Sequence, residues 1–159
     1  MSEVSILDMC CGSRMFWMDK QDSRAVFSDR RAEQHVLCDG RTLQISPDII
    51  ADFRALPFAN NTFAQVVFDP PHLDRVGDNA WMKKKYGALD KKTWPDDIRA
   101  GFVEAFRVLR PHGTLIFKWN ETQIPVSKVI ALTDQKPTIW QRTGKSDNTH
   151  WILFLKPAA

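Results

Sequence analysis

Asp69-Pro70-Pro71-His72 is the stretch of this sequence best suited to holding a planar amino group. An exocyclic amine on an aromatic ring shares its lone pair with the ring and is a poor nucleophile. Two acceptors change that: the Asp69 carboxylate and the Pro70 carbonyl can each take one N–H, drawing the nitrogen toward tetrahedral geometry. The prolines fix the backbone, so both acceptors are set before anything binds. His72 adds a ring that can stack on the same group. The same tetrapeptide also occurs in plain turns after strands. Three more aspartates, Asp8, Asp29 and Asp52, each sit at the end of a short apolar run. Asp8 opens into Cys10-Cys11-Gly12-Ser13, a small-residue turn, and precedes Asp29 by roughly the 20 residues that separate a cofactor-binding turn from a ribose-reading acid. A carboxylate suits that task because it accepts from two hydroxyls at once. Any one of these aspartates serves equally well as a helix cap; four at strand ends, in sequence order, argue for a shared site.

The elements that must position them are short apolar runs alternating with helical patterns, which makes the chain α/β. Strands are predicted at Ser5–Met9, Ala25–Ser28, Pro47–Ala51, Phe63–Phe68, Thr114–Trp119, Thr138–Gln141 and Trp151–Leu155, seven in all. The fourth stops at Pro70-Pro71, because proline has no amide to donate to a ladder. His35–Ile45, with Asp39-Gly40 between two extended arms, reads as an inserted hairpin. A short helix is expected over Met15–Lys20. A longer one is expected from Asp96 to Arg110, where Ile98, Phe102, Ala105, Phe106 and Leu109 form one stripe, and a third over Val126–Leu132. In an open α/β sheet, ligands bind beyond the carboxyl ends of the strands, where all four aspartates fall.

Residues 72–95 resist assignment and read as a lid. Arg75, Lys83, Lys84, Lys85, Lys91 and Lys92 are interleaved there with Trp81, Tyr86 and Trp94, a mixture that suits phosphate contacts and stacking. A solvated loop with its tryptophans tucked onto the core is an equal reading. Lys118-Trp119-Asn120-Glu121 either faces the same cleft or forms an edge of the core.

With 159 residues and 43% hydrophobic content, one domain over 1–159 is expected. No apolar run approaches the length of a membrane span, and the start MSEVSILDMC is not that of a secretory signal, so a cytoplasmic, membrane-free protein is expected. Cys10, Cys11 and Cys38 make neither a disulfide framework nor a zinc pattern; they read as reduced thiols, and no metal is expected. A net charge of +3 is compatible with a polyanionic partner without requiring one.

Asp8-Met-Cys-Cys-Gly-Ser13 followed by Asp69-Pro-Pro-His72 resembles the amino-methyltransferase branch of the class I S-adenosylmethionine-dependent methyltransferases, in its compact phage or prophage form. There the first motif typically reads Asp-Pro-Phe-Cys-Gly-Ser-Gly and the second Asp-Pro-Pro-Tyr. Ala51-Asp-Phe-Arg-Ala-Leu-Pro-Phe58 and Phe106-Arg-Val-Leu-Arg-Pro-His-Gly-Thr-Leu115 fit the wider superfamily, so the likeness spans nearly the whole chain.

The resemblance implies a Rossmann-like, seven-stranded, mostly parallel sheet with an antiparallel last strand and helices on both faces. It implies S-adenosyl-L-methionine as cofactor, with Asp8 and Gly12 along the methionine moiety, Cys10 in the same turn, Asp29 on the ribose, and Asp52 with Phe53 at the adenine. Asp69, Pro70, Pro71 and His72 become the catalytic loop. The activity implied is methylation of a nucleobase amino group, adenine in DNA first and RNA second, with the base flipped out of any duplex. A protein glutamine or a small planar amine is the second substrate reading, and an inactive cofactor-binding module the third.

The chain departs from the pattern in four ways. Arg14 stands where the last glycine of the turn belongs. With seven residues before Asp8 in this sequence, the usual upstream helix is not expected. The first crossover is short, and no target-recognition domain is expected. A homo-oligomer is one way to supply the missing cover.

Overall fold

The computed structural model describes residues 3–158; residues 1, 2 and 159, the ends of the expected 1–159 domain, lie outside the described residues. The chain order is β1 (Ile6–Asp8), β2 (Ala25–Asp29), β3 (Glu33–Val36), β4 (Thr42–Ile45), β5 (Ile49–Ile50), β6 (Phe63–Phe68), α1 (Trp81–Tyr86), α2 (Trp94–Val108), β7 (Leu109–Asn120), α3 (Val126–Ile130), β8 (Ile139–Thr143) and β9 (Thr149–Leu155). Seven strands form one sheet in the order β5-β2-β1-β6-β7-β9-β8. The ladders from β5 to β7 are parallel, and β9 runs antiparallel to both β7 and β8. This is the Rossmann-like arrangement expected, with the strand order reversing between β1 and β6. The carboxyl ends of those strands deliver Asp8 and Asp69 side by side.

Central strands alternate, and Leu7, Val66, Phe68, Leu115, Phe117, Ile152 and Phe154 share a buried cluster with Ile98, Phe102 and Ala105 of α2 and Val126 and Val129 of α3. Helix α2 starts two residues before the expected Asp96, with Pro95 in its first turn, where its missing amide costs nothing. It stops two residues early as well, because Leu109 turns extended and pairs with Phe63. Gly101 is the close-approach position on this helix: a Cβ there would lie 2.3 Å from Phe68 Cζ and 2.9 Å from Phe53 Cδ2.

The second face is met near β1 and β2 by turns, not by the helix expected over Met15–Lys20. Asp19 and Asp22 bond the backbone amides of Gln21 and Arg24, a local alternative that competes with helix formation. Trp17 is drawn inward instead, donating its indole N–H to Asp8 at 2.8 Å and packing against Phe27. The inserted hairpin is present as β3 and β4, with Gly40 at φ +82 in its turn. The third strand shrinks to Ile49–Ile50. No helix of the described residues is long and apolar enough to cross a membrane.

Candidate functional site

A cleft of about 910 Å³ runs along the carboxyl ends of β1, β2, β5 and β6. It is lined by Cys10, Gly12 and Asp29, by Asp52 and Phe53, and by the whole Asp69–His72 stretch. The structure therefore brings together nine of the ten residues singled out from sequence. Asp8 is the exception. It is fully buried behind the turn it was expected to line, with Oδ2 accepting from Trp17 and Oδ1 from the Cys10 amide at 3.4 Å.

The glycine turn and the end of β2 are built as one piece. Gly12, at φ +50, donates its N–H to Asp29 Oδ2 at 2.8 Å, and the Arg31 amide donates to Asp29 Oδ1 at 2.9 Å. Nothing lies within 4 Å of where a Gly12 Cβ would stand, so the backbone faces open space in the cleft. Arg14 takes the left-handed dihedral of the glycine it replaces, φ +58, and its guanidinium leaves the cleft. It lies 3.8 Å over the Phe27 ring and donates to the carbonyls of Lys20 and Ser46. The charge of the residue that stands in the glycine's place is thus spent outside the cleft.

Asp52 is fixed by Arg54, which donates through Nε and Nη2 and reaches Asp97 of α2 with Nη1 at 3.0 Å. Glu104 and Arg107 tie the same loop to α2 through the Leu56 amide and the Leu56 and Phe58 carbonyls. Phe53 rests on Phe68 at 5.2 Å between centroids and offers the cleft an apolar ring.

Asp69 faces Lys118 Nζ at 3.6 Å. Burial pushes the Asp69 carboxyl above its usual range, and Lys118 opposes that. His72 packs between Tyr86 and Trp119, 5.5 and 6.3 Å away by centroids. Burial, then Lys118, holds its pKa down to about 4, so the ring is neutral at physiological pH. Burial raises Asp8 to about 7; the Trp17 bond works against this, and the charges of Asp69 and Asp29 add to it. Three carboxylates thus crowd one end of the sheet, and a cationic ligand relieves their repulsion. With the open glycine backbone, this donor set fits S-adenosylmethionine, whose sulfonium is positive.

Residues 72–95, expected to be a lid, are structured in part. The short helix α1, absent from the sequence expectation, is pinned to β2 by Arg31, which donates to the Lys84 carbonyl at 3.0 Å. Gly87, at φ +76, passes close to Pro71. Gln123 holds the other flank through the amides of Asp74 and Arg75. Lys83, Lys84 and Lys85 line the cleft, Lys83 paired with Asp78, while Trp81 stays about half exposed.

Arg31, Arg54 and Lys118 also line the cleft, and the motif reading missed them or left them open. A repeated local pattern carries two of them. At Asp22-x-Arg24, Asp29-x-Arg31, Asp39-x-Arg41 and Asp52-x-Arg54 the arginine amide donates to the aspartate Oδ1 two residues back, a turn legible in sequence.

No family model matches the sequence, and no curated protein matches it. Solved structures do match in shape. A SAM-dependent methyltransferase from Methanosarcina mazei aligns over 100% of this chain and 95% of its own, with a TM-score of 0.59 and 11% identity. The chain has the methyltransferase fold. The N-methyltransferase NodS from Bradyrhizobium japonicum WM9 aligns over 98% of this chain and 87% of its own, at a TM-score of 0.60 and 13% identity. PH0226 protein from Pyrococcus horikoshii OT3 aligns over 96% and 81%, at 0.63 and 15%.

Proposed function

We propose that this chain is an S-adenosylmethionine-dependent methyltransferase acting on the exocyclic amino group of a nucleobase, adenine in DNA first and RNA second. The observation that carries the reading is the single cleft joining Gly12, Asp29 and Phe53 to Asp69–His72. A fold alone hosts many chemistries, so the weight falls on the site.

In this reading the Gly12 backbone faces the methionine part of the cofactor, with Cys10 beside it and Asp8 fixing the turn from behind. Asp29 meets the ribose with the lone pairs that Gly12 and Arg31 leave, and Asp52 with Phe53 forms the adenine corner. S-adenosylmethionine supplies a methyl group already activated by its sulfonium. Asp69 and the Pro70 carbonyl accept the two N–H groups of the target amine, Pro71 keeps their spacing, and neutral His72 stacks on the ring. Acceleration comes mainly from positioning. The lysines of α1, beside the exposed Trp81, suit the phosphates and bases next to a flipped nucleotide. The chain then acts as one domain with residues 72–95 as its lid.

Tritiated-methyl transfer to unmethylated DNA, RNA and cell protein, run in parallel with Asp69→Ala as control, tests the proposal. Label in DNA or RNA that is lost in the variant is expected. Label in protein alone would replace the substrate assignment, and failure of the chain to bind S-adenosylmethionine in calorimetry would end the methyltransferase reading.

A further inference from the structure

Strands β6 and β7 run parallel in a register that pairs Phe68 with Phe117, so Asp69, just past the end of β6, and Lys118, still within β7, are neighbours. We propose that Lys118 is the positioning residue of Asp69, keeping its carboxylate charged and turned to the cleft while leaving Oδ1 to the target amine. This rests on the reading above that Asp69 holds an amino group.

The geometry separates two things a cation can do for a carboxylate. At 3.6 Å, Nζ and Oδ2 form an ion pair, yet the distance exceeds that of a direct N–H···O bond. The contact falls on Oδ2 alone, so Oδ1 is left to the target amine. A short, two-pronged arginine contact like that of Arg54 on Asp52 would occupy both oxygens. The ammonium is also held from behind: it lies 5.5 Å from the Phe16 ring centroid and 5.4 Å from that of Trp151, and those two rings meet edge-on. Phe16 comes from the turn segment after β1 and Trp151 from β9, so two separate parts of the fold aim one lysine.

Asp69 needs such help. Asp8, facing it from β1, and the Cys10 thiol from the turn give no positive charge, and neutral His72 follows on its own loop. Lys118, from β7, is the cation facing it. A protonated Asp69 would offer one O–H donor where the amine needs an acceptor.

The experiment is a ¹³C-carboxylate titration of Asp69 in the full chain without cofactor, assigned by loss of the signal in Asp69→Asn, for wild type, Lys118→Met, Lys118→Gln and Lys118→Arg. Thermal melts identify folded variants. Both neutral variants are expected to raise the Asp69 midpoint by about one pH unit or more, and Lys118→Arg to return it most of the way. In methyl-transfer assays the acidic limb of the kcat/KM profile moves up with the midpoint in the neutral variants, and the Kd for S-adenosylmethionine changes little. An unmoved Asp69 midpoint in a folded neutral variant overturns the proposal. A moved midpoint in a chain whose wild type methylates nothing overturns the positioning role through the failure of the amino-group reading, leaving a purely structural ion pair.

Discussion

Gly12 gives its backbone N–H to Asp29 Oδ2 at 2.8 Å, and through that bond the turn after β1 and the acid at the end of β2 hold each other in place. The acid proposed to meet the ribose is thus also the keystone of the glycine turn. Asp29→Asn keeps the shape but turns one acceptor into a donor, which must face either the Gly12 or the Arg31 amide. An unpaired buried donor costs about 1–3 kcal/mol. The expected result is an unfolding free energy lower by that amount in urea titration and at least about tenfold weaker S-adenosylmethionine binding in calorimetry, one factor of ten being about 1.4 kcal/mol. A variant of unchanged stability with weakened binding would show that the keystone role is wrong.

Gly101→Ala sets two effects against each other. In an exposed helix the change gains up to about 1 kcal/mol. Here the new methyl meets Phe68 Cζ at 2.3 Å and Phe53 Cδ2 at 2.9 Å, and overpacking of a filled core costs about 1–3 kcal/mol. The clash wins. Net destabilisation is expected by thermal melting. Because Phe53 is the ring that yields most easily, being only partly buried, cofactor affinity should fall as well.

What the sequence disclosed was the order of strands and the residues at their carboxyl ends, because apolar runs cut off by Asp, Gly and Pro are local signals. Phe63–Phe68 ending at Pro70-Pro71 was legible to the residue. What escaped it depends on pairing across the fold. Asp8 lies inside because Trp17, nine positions on, reaches back to it, and the same reach dissolves the helix expected over Met15–Lys20. Lys118 joins the site only through the register of β6 with β7. Arg14 reads as an obstacle in sequence, and only its contact with Phe27 shows the guanidinium directed elsewhere.

That contact gives its own expectation. Arg14→Gly removes the left-handed strain, worth about 1–2 kcal/mol. It also removes two charged hydrogen bonds, at about 1.5–3 kcal/mol each, and the stacking on Phe27. Stability should drop, while S-adenosylmethionine affinity stays within about threefold, a change of about 0.7 kcal/mol, since the guanidinium does not line the cleft. A large gain in affinity on removing the arginine would place its charge in the site after all.

Asp8 supplies a pH signature. Its folded pKa is about 7 against an ordinary value of 3.8, so between those values the folded chain holds a proton that the unfolded chain has released. Folding stability from this group is therefore complete below about pH 4 and is lost as pH rises toward 7. Each unit of separation is worth about 1.4 kcal/mol, which puts the total on the order of a few kcal/mol. Asp8→Asn keeps an acceptor for the Trp17 indole and cannot ionise. Its melting temperature relative to wild type should rise steadily from pH 4 to pH 8. A constant offset between the two proteins across that range would mean that Asp8 is ionised in the folded chain at all these pH values, and that burial at the end of β1 does not hold its proton.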